Sequence, residues 1–265
     1  MTTPMGTVGI IGGSGMLGRA IAHALLRSGT VAPERFWISN RSGSSAGFEA
    51  YPAIHITTNN QELVEACDTV LLSVPPKDAP AIGINAGDKL VASVMAGVSL
   101  QKLQELTGSV RVVRAMSSPA AEFSLAYSPW TTSAAVTGED RNTITTLFGA
   151  CGATDEVPDE AQIEIFTAIT GPVPGFVAYF AACMSDYAVT RGIDPAVADK
   201  SIRQLFLAAG HMLAESTMTP GGHVQQMIDY AGTTAAGLNA MASSDIADAI
   251  AAALDAAVEK TRQMG

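Results

Sequence analysis

Basic residues, cysteine pairs and long apolar runs are all scarce in this sequence, and each scarcity excludes a class of function. Lysine and arginine account for 15 of 265 residues and the formal net charge is −10, so we expect no basic face for nucleic acid or an anionic membrane. Cys67, Cys151 and Cys183 form no Cys-x-x-Cys pair, which argues against a zinc or redox site. The longest apolar run, Phe176 to Met184, is shorter than the ~20 residues of a membrane span.

A secretion signal and a metal site are not expected either. The chain opens with MTTPMGTVGIIGG, which has no basic segment before its apolar run, so we predict a soluble cytoplasmic protein. His23, His55, His211 and His223 share no metal-like spacing with one another or with cysteine, and each is interpreted as structural. A small molecule is therefore the expected partner.

Up to about residue 157 the sequence alternates β-rich and helical runs. TVGIIG, RFWISN, DTVLLSV, DKLVASVM and VRVVRAM read as strands, with GMLGRAIAHALLRSG and NQELVEAC as helices among them. SAAVTG, residues 133–138, is interpreted as a late edge strand. Such alternation predicts a mostly parallel sheet covered on both faces, an α/β fold of the doubly wound Rossmann type.

The pattern changes near Val157, where alanine-rich segments of helical period replace the β-branched runs. We predict an NADP-binding α/β domain at 1–157 and an all-helical substrate and dimerisation domain at 158–265. The many small residues of IADAIAAALDAAVEK suit close packing against a second subunit, so a homodimer or higher homo-oligomer is expected. The predicted helical segments are about 159–191, 195–215, 220–229 and 234–262.

A glycine-rich loop, Gly13-x-Gly15-x-x-Gly18, follows the first predicted strand and opens the first helix, a context typical of dinucleotide binding. We expect Gly13 to take the positive φ of the turn, Gly15 to admit a pyrophosphate and Gly18 to let helix and strand pack closely. Backbone N–H groups at the helix start would then bind the phosphates. A turn with no ligand is the alternative. The predicted pyrophosphate contacts are Gly13, Ser14, Gly15, Met16, Leu17 and Gly18.

The end of the second strand indicates which dinucleotide is bound. Folds that prefer NAD carry Asp or Glu here to accept a hydrogen bond from the ribose 2′-OH. This chain has Asn40, Arg41 and Ser42 instead, and guanidinium and hydroxyl groups favour a 2′-phosphate. The sequence therefore predicts NADP(H), with Arg41 as a solvated loop residue in the alternative interpretation.

The ends of the predicted strands DTVLLSV and DKLVASVM offer no charged group. Ligands of open α/β sheets bind beyond the carboxyl ends of strands. We interpret them as apolar, backbone-rich walls around the nicotinamide and its ribose. The predicted wall residues are Val74, Pro75, Met95, Ala96 and Gly97.

The sequence offers no obvious general base for a hydride-transfer reaction. Oxidation of an alcohol requires a group that takes the hydroxyl proton, but the stretch Phe166 to Tyr187 contains neither Lys nor His. Reduction of a carbon–nitrogen double bond is less demanding, because solvent or a hydroxyl suffices to protonate the nitrogen. A reductase of an imine is therefore favoured.

The segment YAGTTAAGL, residues 230–238, lies between two helical runs and supplies such hydroxyls. Gly232 can interrupt the helix, so that Thr233 and Thr234 lie in the first turn of a new one. Free N–H groups there form an anion site fit for a small carboxylate, and a threonine hydroxyl beside it can donate to a nitrogen. The alternative is that Thr233 is only an N-cap.

Nearly the whole chain resembles the pyrroline-5-carboxylate reductase family. The likeness is carried in order by GIIGGSGMLGRAI, SNRS, LLSVPP, MAGVSLQKL, VVRAM, TAITGPVPGF and YAGTTAAGL. The resemblance implies NAD(P)H-dependent reduction of a cyclic imino acid to proline by a dimer whose C-terminal helices intertwine. It also implies that Gly232, Thr233 and Thr234 bind the substrate carboxylate and that Thr234 donates to the ring nitrogen.

The sequence departs from that family at several points. RAMSSP, residues 114–119, lacks the usual Pro-Asn pair, and Ser117 and Ser118 are expected to make the nicotinamide side of the pocket more polar. Tyr230 stands where the family has proline before the Gly-Thr-Thr cluster and is expected to narrow the pocket. The glycine-rich loop is similar to that of coenzyme F420-dependent NADP oxidoreductases. That enzyme type and a non-catalytic NADP(H)-binding sensor are the alternative functions.

Overall fold

The computed structural model describes residues 5–171 and 174–264, and its centre is an eight-stranded sheet in the order β3-β2-β1-β4-β5-β6-β7-β8. All neighbouring strands pair in parallel except β6 and β7, which are antiparallel. The strands are β1 (Val8–Ile11), β2 (Phe36–Ser39), β3 (His55–Thr57), β4 (Thr69–Leu72), β5 (Leu90–Ser93), β6 (Val112–Ala115), β7 (Ala126–Thr132) and β8 (Gly152–Glu156).

Both faces of this sheet are buried, which explains why its central strands are continuous apolar runs. Ile10 packs in one core cluster with Ile21 of the first helix, whereas its neighbour Ile11 packs in a second cluster with Leu63 of another helix. Successive side chains of a strand point to opposite faces, so helices must cover both sides. The predicted doubly wound α/β class is confirmed. The helices of this part are α1 (Met16–Arg27), α2 (Asn60–Ala66), α3 (Leu100–Thr107) and α4 (Gly138–Gly149).

The predicted edge strand at 133–138 is wrong, and β7 and β8 lie elsewhere. Thr137 instead caps α4, since its hydroxyl accepts from the Asp140 N–H while the Asp140 carboxylate accepts from the Thr137 N–H. This reciprocal capping box begins a helix where the pattern of SAAVTG indicated a strand. Within this segment only Ser133 and Val136 are buried, and Val136 lies in the loop that precedes α4.

Helices dominate beyond β8, as predicted, but with more breaks than the sequence indicated. The first predicted segment is divided between α5 and α6, and the last is divided between α9 and α10. These helices are α5 (Glu160–Ile169), α6 (Gly175–Thr190), α7 (Pro195–Glu215), α8 (Pro220–Asp229), α9 (Thr233–Ala242) and α10 (Ile246–Arg262).

The chain divides into two compact units, Met1–Val173 with Leu254–Gly265, and Pro174–Ala253. This division comes later than the change of sequence pattern at 157, because α5 packs against β6 and β7. The second unit leaves large apolar side chains exposed in the single chain, and α6 has no buried residue. Exposed apolar area of this kind marks a surface that another molecule covers. Within the two described ranges, no helix is both long and apolar enough to cross a membrane.

An ion pair between a buried carboxylate and a half-buried guanidinium ties α4 to the start of β6. Asp140 is 4% exposed, and Arg111 donates to it through Nε at 3.0 Å and through a second guanidinium nitrogen. Although burial raises the pKa of the Asp140 carboxyl, hydrogen bonds from Arg111 and Thr137 outweigh it and hold that pKa below its usual value. The carboxylate form is therefore the one that the fold stabilises.

We expect Asp140→Ala to lower the free energy of unfolding by about 2–3 kcal/mol, because it leaves Arg111 and the Thr137 N–H without their acceptor. A carboxyl whose pKa is lowered by folding contributes stability above its unfolded pKa and loses it as the pH falls through the folded pKa. Urea unfolding should thus show the difference between the variant and wild type at neutral pH, and a smaller difference at about pH 3. An equal difference at both pH values would contradict this assignment.

Candidate functional site

A cleft of about 660 Å³ opens at the carboxyl ends of β1, β2 and β4. The strand order reverses at β1, with β2 on one side and β4 on the other, so this is the topological switch point of the sheet. Ligands of open α/β sheets bind at that position. The cleft is therefore the candidate dinucleotide site of the first unit.

The glycine-rich loop joins β1 to α1 at this cleft, and Gly15 is the N-cap residue of the helix. The positive φ of the turn belongs to Gly12, at +84°, and not to Gly13 as the sequence predicted. A Cβ on Gly12 would lie 2.5 Å from the Ser73 carbonyl oxygen, so only glycine fits. Gly13 has an ordinary φ, and its missing side chain makes room for Ile38 of β2.

Gly18 behaves as predicted, since a Cβ there would lie 2.5 Å from the carbonyl oxygen of Gly12. The helix start carries no acidic residue in its first turn and no side-chain cap. Within the described residues, the N–H groups of Met16, Leu17 and Gly18 have no hydrogen-bond acceptor. Unpaired N–H groups at the positive end of a helix dipole attract anions, so this turn suits a phosphate.

The residues after β2 form one wall of the cleft and contact the glycine-rich loop. Asn40 donates from Nδ2 to Ser14 Oγ at 2.7 Å and accepts at Oδ1 from the Ser42 hydroxyl at 3.2 Å. Arg41 lines the cleft with its side chain 92% exposed and lies 3.4 Å from Asp78 Oδ2. No carboxylate follows β2 directly, so the groups that this wall offers to a ligand are a guanidinium and a hydroxyl.

Sequence reasoning missed several lining residues, chiefly Gly12, Thr58, Asn60 and Asp78. Thr58 and Asn60 follow β3, whose carboxyl end lies beside that of β2. Asn60 is fixed by a hydrogen bond from the Ser39 hydroxyl at 2.6 Å. The sequence contains a signal for these residues. The short β-rich run around His55 ends in polar residues, which lie at the same carboxyl end of the strands as the cleft.

The structure separates the predicted contacts into those that line the cleft and those that lie outside it. Met95 is buried at 2% exposure, while Met16 is 73% exposed and lines a separate hollow of about 400 Å³ beside His23 and Phe123. Gly13, Leu17, Gly18, Ala96 and Gly97 also lie outside the cleft lining. Of the predicted residues, the lining includes Ser14, Gly15, Asn40, Arg41, Ser42, Val74 and Pro75.

The structure also shows the surroundings of Ser117, Ser118 and His23, three residues that the sequence analysis considered. Ser117 and Ser118 are each only 2% exposed, and the Ser117 hydroxyl lies 2.9 Å from that of Ser128. The Ser117 hydroxyl therefore faces another buried hydroxyl, while the expectation that the pair makes the nicotinamide side of the pocket more polar stays a prediction. His23 has a structural role, with Nδ1 at 3.1 Å from Glu122 Oε1.

In the second unit, α9 begins at Thr233 as predicted, and Gly232 is its N-cap. The alternative that Thr233 is the N-cap is wrong, and Gly232 offers no side-chain acceptor for the first turn. Thr233 and Thr234 are exposed, and within the described residues their N–H groups have no acceptor. Ala231 takes a φ of +59°, an uncommon value for a residue with a Cβ. This turn has the geometry of a small-anion site.

The chain matches two families, one in each half. Residues 7–97 match the family described as NADP oxidoreductase coenzyme F420-dependent, and residues 160–264 match the one described as pyrroline-5-carboxylate reductase dimerisation. These matches cover the cleft residues after β1 and β2 and the start of α9.

Whole-chain relatives agree with the second match. A pyrroline-5-carboxylate reductase of Methanosarcina acetivorans is 30% identical, with 97% of each chain covered. The fold is similar to that of the pyrroline-5-carboxylate reductase of Coxiella burnetii, with a TM-score of 0.87 at 24% identity and 98% of each chain covered. It is also similar to the Plasmodium falciparum enzyme, with a TM-score of 0.83 at 24% identity and full coverage of both chains. This chain belongs to the pyrroline-5-carboxylate reductase family.

Proposed function

We propose that this protein reduces the carbon–nitrogen double bond of a small cyclic imino acid with NADPH, as a pyrroline-5-carboxylate reductase. The observation that carries the proposal is the exposed, uncapped start of α9 at a Gly-Thr-Thr cluster in a chain of this family. The product of that reaction is proline, so the activity belongs to proline biosynthesis. The relative from Methanosarcina acetivorans and the NADP-bound state of the Plasmodium falciparum enzyme support the proposal.

The cleft of the first unit is the proposed site for NADP(H). Gly15, the N-cap of α1, lines the cleft, and the free N–H groups of the helix turn that follows it hold the pyrophosphate, while Arg41 and Ser42 hold the 2′-phosphate. When bound, the cofactor supplies the hydride. Val74 and Pro75 line the cleft without adding charge, which suits the apolar faces of the nicotinamide ring.

The start of α9 is the proposed substrate site. The N–H groups of Thr233 and Thr234 bind the carboxylate of the imino acid, because the helix dipole and two unpaired donors favour an anion. The Thr234 hydroxyl then donates a hydrogen bond to the lone pair of the ring nitrogen. As hydride reaches the adjacent carbon, the nitrogen takes up this proton, and solvent returns a proton to the hydroxyl. A hydroxyl suffices for this task, which agrees with the lack of Lys and His in the stretch from Phe166 to Tyr187.

The helical part is the proposed dimerisation surface. Its exposed apolar residues include Tyr179 at 75%, Leu207 at 68% and Met212 at 65%. A single chain would leave these side chains in water, whereas a second copy would bury them. We also propose that the residues up to 157 bind the nucleotide and that the residues after 157 bind the substrate and form the dimer.

Purified protein tests the activity directly. We expect the absorbance of NADPH to fall when 1-pyrroline-5-carboxylate is added, and to stay constant with a 2-ketoacid of similar size. Tight NADPH binding with no turnover across a panel of cyclic imino acids would instead favour a non-catalytic NADP(H) sensor.

A second candidate follows from the match of residues 7–97 to the F420-dependent oxidoreductase family. That match ends before the helical part, which belongs to the other family. Titration with coenzyme F420 decides between the two. Binding of F420 in the presence of NADP would favour this candidate, and its absence would remove it.

Arg41→Ala should weaken NADPH binding about 30-fold while leaving NADH binding within about twofold of wild type. The reason is that the guanidinium meets only the 2′-phosphate, which NADH lacks. Fluorescence titration of both dinucleotides measures this ratio. A parallel loss of affinity for NADH would show that Arg41 supports the loop rather than the phosphate.

A further inference from the structure

Two charged side chains line the cleft in the described structure, and they have opposite signs. They are Arg41 and Asp78, whose closest atoms, a guanidinium nitrogen and Oδ2, lie 3.4 Å apart. The polar side chains beside Arg41 in the chain are neutral, and Ser42 donates to Asn40 while Asn40 donates to Ser14. The charge balance of this wall therefore depends on one cation and one anion.

Asp78 is held in the cleft more firmly than Arg41. It lies in the 3₁₀ segment Pro76–Ala81, where its N–H donates to the Pro75 carbonyl oxygen at 2.8 Å. Its short side chain is 34% exposed, whereas that of Arg41 is 92% exposed and long enough to reorient. A ligand that attracts Arg41 therefore meets the Asp78 carboxylate at a nearly fixed position.

We propose that Asp78 determines how strongly this cleft discriminates between phosphorylated and unphosphorylated dinucleotides, an inference that rests on the proposed NADP(H) site. The carboxylate competes with the 2′-phosphate for the Arg41 guanidinium and repels the phosphate directly. It has no such effect on a free ribose hydroxyl, for which a carboxylate is a suitable acceptor. Removing the Asp78 charge also removes the ion pair that orders the Arg41 side chain. This loss affects binding less than the relief of competition and repulsion does, because exposed ion pairs contribute little on their own.

The test compares Asp78→Asn with wild type in the full-length protein. The amide keeps the size of the side chain and removes its charge. We expect the Kd for NADPH to fall about tenfold at low salt and the Kd for NADH to change by less than about twofold. The gain should shrink at high salt, because the surface charges are then screened.

Asp88→Asn is the matched control. Asp88 is exposed and precedes β5, so it lies at the amino end of the parallel strands, away from the carboxyl ends where the cleft opens, while carrying the same charge. An unchanged ratio of the NADPH and NADH affinities in Asp78→Asn would overturn the inference, and so would an equal gain in Asp88→Asn. Failure of wild type to bind either dinucleotide would instead remove the proposed function itself.

Discussion

Replacing Thr234 by alanine should lower kcat/KM for 1-pyrroline-5-carboxylate about 10²- to 10³-fold, while the Kd for NADPH stays within about twofold of wild type. The variant keeps the backbone N–H of residue 234 and thus the anion site, but it loses the only proposed donor to the ring nitrogen. Most of the loss should therefore appear in kcat rather than in KM. Steady-state kinetics and a separate NADPH titration measure the two effects.

Two further variants separate a donor role from a structural one. Thr234→Ser keeps the hydroxyl and should recover most of the activity. Ser243→Ala removes a hydroxyl at the other end of α9, where it donates to the Asn239 carbonyl oxygen at 2.9 Å, and should leave kcat unchanged. Full activity in Thr234→Ala would show that solvent protonates the nitrogen and that Thr234 is not the donor.

Replacing Gly12 by alanine should weaken NADPH binding at least about 100-fold and lower the free energy of unfolding by about 3 kcal/mol. Alanine is strained at a φ of +84°, and its Cβ would approach the carbonyl oxygen of Ser73 to 2.5 Å. The backbone must then shift where the loop joins the first turn of α1, which is the proposed pyrophosphate site. Fluorescence titration and urea unfolding at a fixed protein concentration measure the two losses.

Gly29→Ala is the control for backbone strain alone. Gly29 also has a positive φ, at +69°, but a Cβ there has no atom within 4 Å. We expect a stability loss of about 1 kcal/mol and an unchanged Kd for NADPH. Equal NADPH affinity in wild type and in Gly12→Ala would show that this loop does not form the pyrophosphate site.

How much of the fold the sequence predicts depends on burial. Strands β1, β2, β4, β5 and β6 are buried from both faces and are therefore mainly apolar runs that are easy to recognise, with Arg114 of β6 as the one charged residue among them. Strand β8 has the sequence GATDE and is largely exposed at the edge of the sheet, so no apolar pattern marks it. Strand β7 contains Pro129, a residue that ordinarily argues against a strand.

The residues of the site also differ in how well they could be predicted. Some are marked by their neighbours along the chain, whereas others are brought to the cleft only by tertiary structure. Gly15, Asn40 and the start of α9 were predictable because each follows directly from its neighbours along the chain. Thr58 and Asp78 were not, because they reach the cleft through the pairing of β3 with β2 and through a 3₁₀ turn after β4. Gly12 was overlooked because the glycine pattern begins at Gly13, and only the backbone angles show that the positive φ of the turn lies one residue earlier.

The central claim is that a substrate carboxylate is bound by the N–H groups at the start of α9 while NADP(H) lies in the cleft of the first unit. A crystal structure with NADP⁺ and proline tests it most directly. We predict the proline carboxylate within hydrogen-bond distance of the N–H groups of Thr233 and Thr234, and the carbon that exchanges hydride about 3–3.5 Å from C4 of the nicotinamide. A carboxylate bound elsewhere, or an α9 start distant from the nicotinamide in every subunit, would contradict the account.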